Sequence, residues 1–196
     1  LGSICTEGKI EINGSICPDK KRNNVQNFVE RINPTVGEKI LLVGNVSNYG
    51  KYLNKLGVEV TILENENDIY KSAALQNCNC NVIKGNLEYI PFKKGYFDKI
   101  IFLNYFNSFQ DEEKVLKELC RVLKYNGNII IQENNPKSLY SKLIAISKKV
   151  SGCKCKFYNL DEIMNMFQAS GFDGICKNID KYSFIYVGRK IKETMD

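Results

Sequence analysis

The sequence predicts an α/β fold: a doubly wound, mostly parallel sheet of seven strands, closed by a C-terminal antiparallel hairpin. Two observations carry this. Short apolar runs at 39–43 (KILLV), 97–103 (FDKIIFL) and 128–132 (NIIIQ) have the continuous hydrophobicity of strands buried on both faces. Segments with apolar residues at helical spacing alternate with them. Alternation of this kind implies parallel strands with helices on both sides of the sheet.

Taken in order, residues 1–18 repeat Gly-Ser-Ile-Cys at 2–5 and 14–17, and Asn13-Gly14 is a turn signal, so 1–20 read as an N-terminal arm or hairpin. The remaining 21–196 read as one domain. Val25, Phe28, Val29 and Ile32 line one face of a helix, which Pro34 and Gly37 end. The first strand (39–43) leads into a helix with Tyr49, Tyr52, Leu53 and Leu56 on one face, stopped by Gly57. A second strand follows at 58–63 and closes on Glu64. Residues 67–76 read as a helix and 81–84 as a short strand. After the strand at 97–103, Asp111 is a good N-cap for a helix carrying Val115, Leu116, Leu119, Val122 and Leu123. Asn126-Gly127 reads as a turn into the fifth strand. A lysine-rich stretch at 137–149 has helical character. Asn159 and Glu162 form a capping box for a helix that buries Ile163, Met166 and Phe167 and stops at Gly171. Strands at 174–179 and 183–189 form the closing hairpin.

Composition narrows the function. The chain has 28 basic and 22 acidic residues, a net charge of +6, a mild excess that suits an anionic ligand or surface and is not diagnostic of nucleic acid, which is not the expected partner. No apolar run reaches the roughly 18 residues of a transmembrane segment. With no secretory signal segment to read and eight cysteines that the fold does not need as bridges, a reducing, cytoplasmic setting is expected. Histidine is absent, so any proton chemistry falls to Glu, Asp, Tyr, Lys or Cys.

Three stretches together resemble the class I S-adenosylmethionine-dependent methyltransferases of the small-molecule type, with a Rossmann-like fold. They are KILLVG with its helix and VEVTILE; GNLEYIPFKKGYFDKIIFLNYFNSF at 85–109; and DEEKVLKELCRVLKYNGNIIIQENNP at 111–136. KFYNLDEIMNMFQASGF, at 156–172, resembles the family's late helix. The resemblance implies S-adenosylmethionine as cofactor and a small-molecule or lipid-like acceptor. It places cofactor contacts at Gly44, Asn45, Glu64, Asn86, Leu87 and Asn104.

The glycine-rich loop departs from the family pattern of acidic-x-Gly-x-Gly-x-Gly. Leu42 replaces the acidic residue, Gly44 is kept, Val46 and Asn48 replace the later glycines, and Gly50 offers late flexibility. Val46 disfavours positive φ, whereas Asn48 tolerates it. Glu64 ends the second strand 20 residues after Gly44, the spacing of a carboxylate that accepts ribose hydroxyls. Asn86 stands where the resemblance implies an aspartate facing the adenine amino group, and an amide oxygen can accept that bond. Leu87 is placed beside the adenine.

Methyl transfer is an in-line displacement in which proximity and orientation do most of the work, so a chain without histidine can catalyse it. The acceptor side is expected past the fourth and fifth strands, at Asn104, Tyr105, Asn107, Glu133 and Asn134, with Tyr105 and Glu133 as candidate catalytic groups. Cys78-x-Cys80 and Cys153-x-Cys155 lack the usual zinc spacing and fall in separate parts of the fold, so no metal site is expected. Lys142, Lys148, Lys149, Lys154 and Lys156 make the segment over the acceptor side basic. Two functional readings remain: a methyltransferase, or a catalytically inactive methyltransferase-fold subunit that binds a protein partner, for which the degenerate loop argues. A nicotinamide-dependent oxidoreductase needs Gly-x-Gly-x-x-Gly, which LLVGNVSNYG does not supply.

Overall fold

A computed structural model describes residues 24–44, 46, 48–64, 79–106, 109, 111–135 and 158–192. The arm at 1–20, the helical stretches at 67–76 and 137–149, Asn45, Asn107, all five lysines at 142, 148, 149, 154 and 156, and Cys78, Cys153 and Cys155 lie outside them. The elements are α1 (Asn24–Ile32), β1 (Lys39–Gly44), α2 (Tyr49–Lys55), β2 (Glu59–Glu64), β3 (Asn81–Lys84), β4 (Phe97–Leu103), α3 (Glu112–Val122), β5 (Leu123–Asn134), α4 (Leu160–Ala169), β6 (Phe172–Asn178) and β7 (Ser183–Lys190). They build one seven-stranded sheet in the order β3-β2-β1-β4-β5-β7-β6. β1 to β5 pair in parallel, and β7 runs antiparallel between β5 and β6.

The apolar runs are continuous because alternate residues feed opposite cores. Ile40 and Leu42 of β1 face α1 and α2, together with Val60, Ile62, Ile101, Leu103, Ile130 and Ile185. Leu41 and Val43 face the other core, with Ile100, Phe102, Ile129, Ile131, Tyr186 and the apolar sides of α3 and α4. Aromatic rings dominate that second core: Phe106 packs on Phe109 at 4.6 Å and on Phe167 at 5.5 Å, and Phe167 on Tyr186 at 4.8 Å.

The caps form as the sequence implies. Asp111 accepts from the Lys114 N–H, and Asn159 and Glu162 make the reciprocal capping box. Four details differ. The fifth strand begins at Leu123, which leaves the α3 face and pairs with Phe97; Asn128 then pairs with Lys99, so Lys124–Gly127 form a bulge with Asn126 at φ +61° instead of a separating turn. β6 begins at Phe172, directly after the Gly171 stop. Leu56 is exposed because α2 ends at Lys55, one residue before it can reach the sheet. Met166 is only half-buried on the rim of its core.

Two buried lysines tie elements together. Lys190 Nζ donates to the Cys120 and Leu123 carbonyls at 2.6 and 3.0 Å, satisfying the C-terminal end of α3. Lys99 on β4 pairs with Glu38 and reaches the Asn33 carbonyl, anchoring the α1–β1 connection to the sheet. Removing one partner of a buried pair strands the other charge, whereas replacing both by apolar groups is close to neutral. Glu38→Ala is therefore expected to destabilise by about 3 kcal/mol, a melting-temperature drop on the order of 10 °C for a chain of this size. Adding Lys99→Met should recover most of that loss in scanning calorimetry; an unchanged single variant would show that the pair is not a tie.

Candidate functional site

The chain passes from β1 to β2 and β3 on one side and from β4 to β5 on the other. The carboxyl ends of β1 and β4 therefore flank the switch point at which an open α/β sheet forms its crevice. Gly44 closes β1 at φ +100°. A Cβ there would lie 2.4 Å from the Leu103 carbonyl oxygen and 2.7 Å from Tyr105 Cβ, so only glycine allows the two strand ends to sit this close.

The exit from β4 is held from β5. Asn104 turns at φ +54°, and its N–H donates to the Gln132 carbonyl at 2.9 Å. Phe106 then donates its N–H to Glu133 Oε1 at 2.6 Å. Glu133 is 2% exposed, so its carboxylate braces the loop from within the core. Tyr105, between these two ties, is half-buried against Gly44, and Asn104 is exposed at the crevice. Tyr158 hydroxyl donates to Glu112, and its ring lies 5.5 Å from Phe106. Burial, followed by the bond to Glu112, holds the Tyr158 hydroxyl far above the ordinary tyrosine range.

On the β1 side, the altered positions of the loop turn inward. Leu42 is fully buried and Val46 nearly so, both in the core beneath α1 and α2. The Tyr49 ring meets Phe28 edge-on at 5.2 Å. Asn48 stays at φ −104° and never uses the left-handed region. Gly50, expected to lend flexibility, is instead a packing glycine: a Cβ would lie 3.1 Å from Ile62 and 3.2 Å from Cys80 Sγ. The loop has traded polar groups for packing beneath α2.

Glu64 ends β2, half-buried, and among the described residues its carboxylate has no hydrogen-bonding partner. Its carbonyl accepts the Gly85 N–H at 3.1 Å, which binds the β3 exit loop to the end of β2. In that loop Asn86 Oδ1 accepts the Glu88 N–H at 2.9 Å, and Leu87 is buried in the core under α3. The structure thus gathers Gly44, Glu64, Asn86, Asn104 and Tyr105 along the carboxyl ends of β1, β2, β3 and β4. It places Leu87 and Glu133 beneath that edge.

A clamp on this loop escaped the motif reading. Glu118 accepts the Ile90 N–H at 2.7 Å, and Arg121 donates to the Phe92 and Ile90 carbonyls at 2.8 and 2.9 Å. The two side chains pair with each other at i, i+3 on α3, and that spacing is the signal from which the clamp could have been read. Gly85 also contributes, since a Cβ would fall 2.9 Å from Leu63 Cδ1. Burial pushes the Cys176 thiol up to about 11, which leaves it protonated and unreactive at neutral pH.

The residues fit a nucleoside better than they fit a charged amino-acid tail. Gly44 packs bare against β4 at the switch point, and the Glu64 carboxylate, the group that could accept a diol, stands at the end of the adjacent β2. No described acidic side chain stands at the position of Leu42 to meet an ammonium group.

Residues 43–131 match the family model of the methyltransferase domain. The chain is 30% identical over 118 residues to the ubiquinone/menaquinone biosynthesis C-methyltransferase UbiE of Francisella tularensis subsp. novicida, covering 60% of this chain and 41% of that protein. It is 29% identical over 120 residues to the demethylmenaquinone methyltransferase of Thermotoga maritima, covering 60% and 51%. The chain thus spans about half the length of these curated relatives, or less. The fold superposes on a SAM-dependent methyltransferase from Aquifex aeolicus with a TM-score of 0.69 at 18% identity, covering 86% of this chain and 90% of the other. Phosphoethanolamine N-methyltransferase 2 of Haemonchus contortus, in complex with S-adenosyl-L-methionine, superposes with a TM-score of 0.68 at 14% identity, covering 86% and 52%.

The Glu118 clamp sets a pH dependence. The bond from Arg121 holds the Glu118 carboxyl below the usual glutamate range, against the opposing effect of burial. A carboxylate with a lowered folded-state pKa stabilises fully above its unfolded value of about 4.3, and that stability is lost as pH falls through the folded value. Between pH 7 and 3, the melting temperature of wild type should fall more steeply than that of Glu118→Gln. Parallel curves would mean that the clamp adds nothing.

Proposed function

Because the chain carries a class I S-adenosylmethionine-dependent methyltransferase domain, we propose that it transfers a methyl group from S-adenosylmethionine to a small-molecule or lipid-like acceptor. The observation that supports this best is the strand-end edge itself: Gly44 kept bare against β4, with the Glu64 carboxylate at the end of the neighbouring strand. In this reading Gly44 and Asn45 receive the cofactor backbone-on, Glu64 accepts its ribose hydroxyls, and Asn86, Leu87 and Asn104 border it. Bound S-adenosylmethionine supplies an activated methyl group on a sulfonium. The chain's own contribution is then orientation and exclusion of water, for which a histidine is not required.

Asn104 and Tyr105 form the border towards the acceptor. Glu133 acts there by bracing the Phe106 N–H, and Tyr105 is the exposed-side group able to orient an acceptor oxygen or carbon. Among the described residues no helix is long and apolar enough to cross a membrane, so a lipid-like acceptor would be met at a surface.

One observation favours a second reading, a non-catalytic methyltransferase-fold subunit with a protein partner. Leu42 and Val46 are core residues, so the end of the crevice that would hold the cofactor's charged tail lacks a carboxylate. Yet the Val46 and Tyr49 side chains make their contacts on the α1 side. Cofactor binding separates the two readings.

Thermal unfolding with S-adenosylmethionine or S-adenosylhomocysteine is the test. Ligand at about 1,000 times its dissociation constant stabilises by roughly 4 kcal/mol, a rise on the order of 10 °C for a chain of this size. Glu64→Ala should abolish the rise while leaving the ligand-free melting temperature within about 2 °C, as expected for a half-exposed carboxylate. No rise with either ligand would favour the partner-subunit reading.

A further inference from the structure

We infer that β6 is a self-recognition surface: two copies of this chain join edge to edge along it, antiparallel, about a two-fold axis at Ile175. The inference is independent of what the crevice binds.

β6 stands at one end of the sheet, and among the described residues it pairs with β7 alone. The register is regular from Phe172↔Lys190 to Asn178↔Phe184. Backbone bonds at both ends of the strand fix which groups face outward. The Ile179 N–H donates to the Ser183 carbonyl and the Ile191 N–H to the Gly171 carbonyl, each at 2.9 Å. Bonded and non-bonded pairs alternate in an antiparallel ladder, so Asp173, Ile175 and Lys177 also turn their backbone groups towards β7. Phe172, Gly174, Cys176 and Asn178 turn theirs to the open edge. Such a row is a template for another strand, and this one carries neither proline nor bulge. The opposite edge of the sheet, β3, has only four residues.

The side chains specify which strand fits. Phe172 and Cys176 face the core that holds α4, so Asp173, Ile175 and Lys177 share the other face. Asp173 and Lys177 are exposed and Ile175 is half-buried. The acid and the base stand two residues to either side of the isoleucine. Antiparallel pairing about Ile175 therefore sets Asp173 against the partner's Lys177 at both ends and Ile175 against its own copy at the centre. These are the non-bonded pairs, whose Cα atoms approach to about 4.5 Å and whose side chains meet most closely. Gly174 and the partner's Cys176 exchange the backbone bonds between them. Arg189 lies opposite Asp173 on β7, so each Asp173 carboxylate would stand between two cations. The contact is isologous and closes at two copies. One strand from each copy is a small interface, so the dimer forms only at high concentration.

The experiment is sedimentation equilibrium of the 196-residue chain and of two variants, Lys177→Asp and Asp173→Lys, from micromolar to near-millimolar concentration. Wild type should show a monomer–dimer equilibrium within that range. Each variant sets like charges opposite one another at both ends of the axis, and each should weaken self-association about tenfold or more. Mixed in equal amounts, the two variants should associate again, because every acid then faces a base. Neither a folding defect nor a dimer made through another surface would be rescued by mixing. A wild type that stays monomeric at every concentration overturns the proposal. So do wild-type dimers that the single variants leave unchanged, and a mixture that associates no better than its components.

Discussion

The approach of β1 to β4 at Gly44 is the constraint on which the crevice depends. With the Leu103 carbonyl 2.4 Å from where a Cβ would stand, any side chain would push the two strand ends apart. The sheet would survive such a shift, because its pairing is made by the residues before it. The crevice would not, since its two walls are the loops that leave these strands. Glycine here combines positive φ with close backbone approach, and both demands come from the neighbouring strand.

Around that contact the protein holds its loops with charge placed where water is scarce. Glu133 braces the β4 exit from β5, Glu118 and Arg121 hold the β3 exit from α3, and Lys99 with Glu38 secures the entry to β1. Each tie joins segments distant in sequence, and each satisfies backbone groups that regular structure leaves open. The loops that border the crevice are therefore positioned by side chains rooted in the scaffold, as a site that works through orientation requires.

The two ends of the crevice have diverged. The β2–β3 end keeps the Glu64 carboxylate and a polar turn, while the β1 end is packed into the core through Leu42, Val46 and Gly50. Burial of an aliphatic side chain stabilises by roughly 1.5–3 kcal/mol, so the exchange gives α2 firmer packing in place of a ligand contact.

The sequence by itself determined the strand order class, the caps at Asp111 and Asn159 and the closing hairpin, because these follow from periodicity and from chemistry within a few residues. It also picked out Gly44, Glu64 and Asn86 as neighbours at strand ends, since a parallel sheet brings such ends to one edge. Only the tertiary structure decided which way those groups point and which are already engaged. The Asn86 oxygen accepts the Glu88 N–H of its own turn, Glu133 is a brace within the core, and Gly50 is a packing contact. The Asn126 turn became a bulge because pairing with β4 resumes on both sides of it. Each of these outcomes rests on a partner that local pattern cannot reveal, because burial and hydrogen-bond competition are settled by whatever the fold brings alongside.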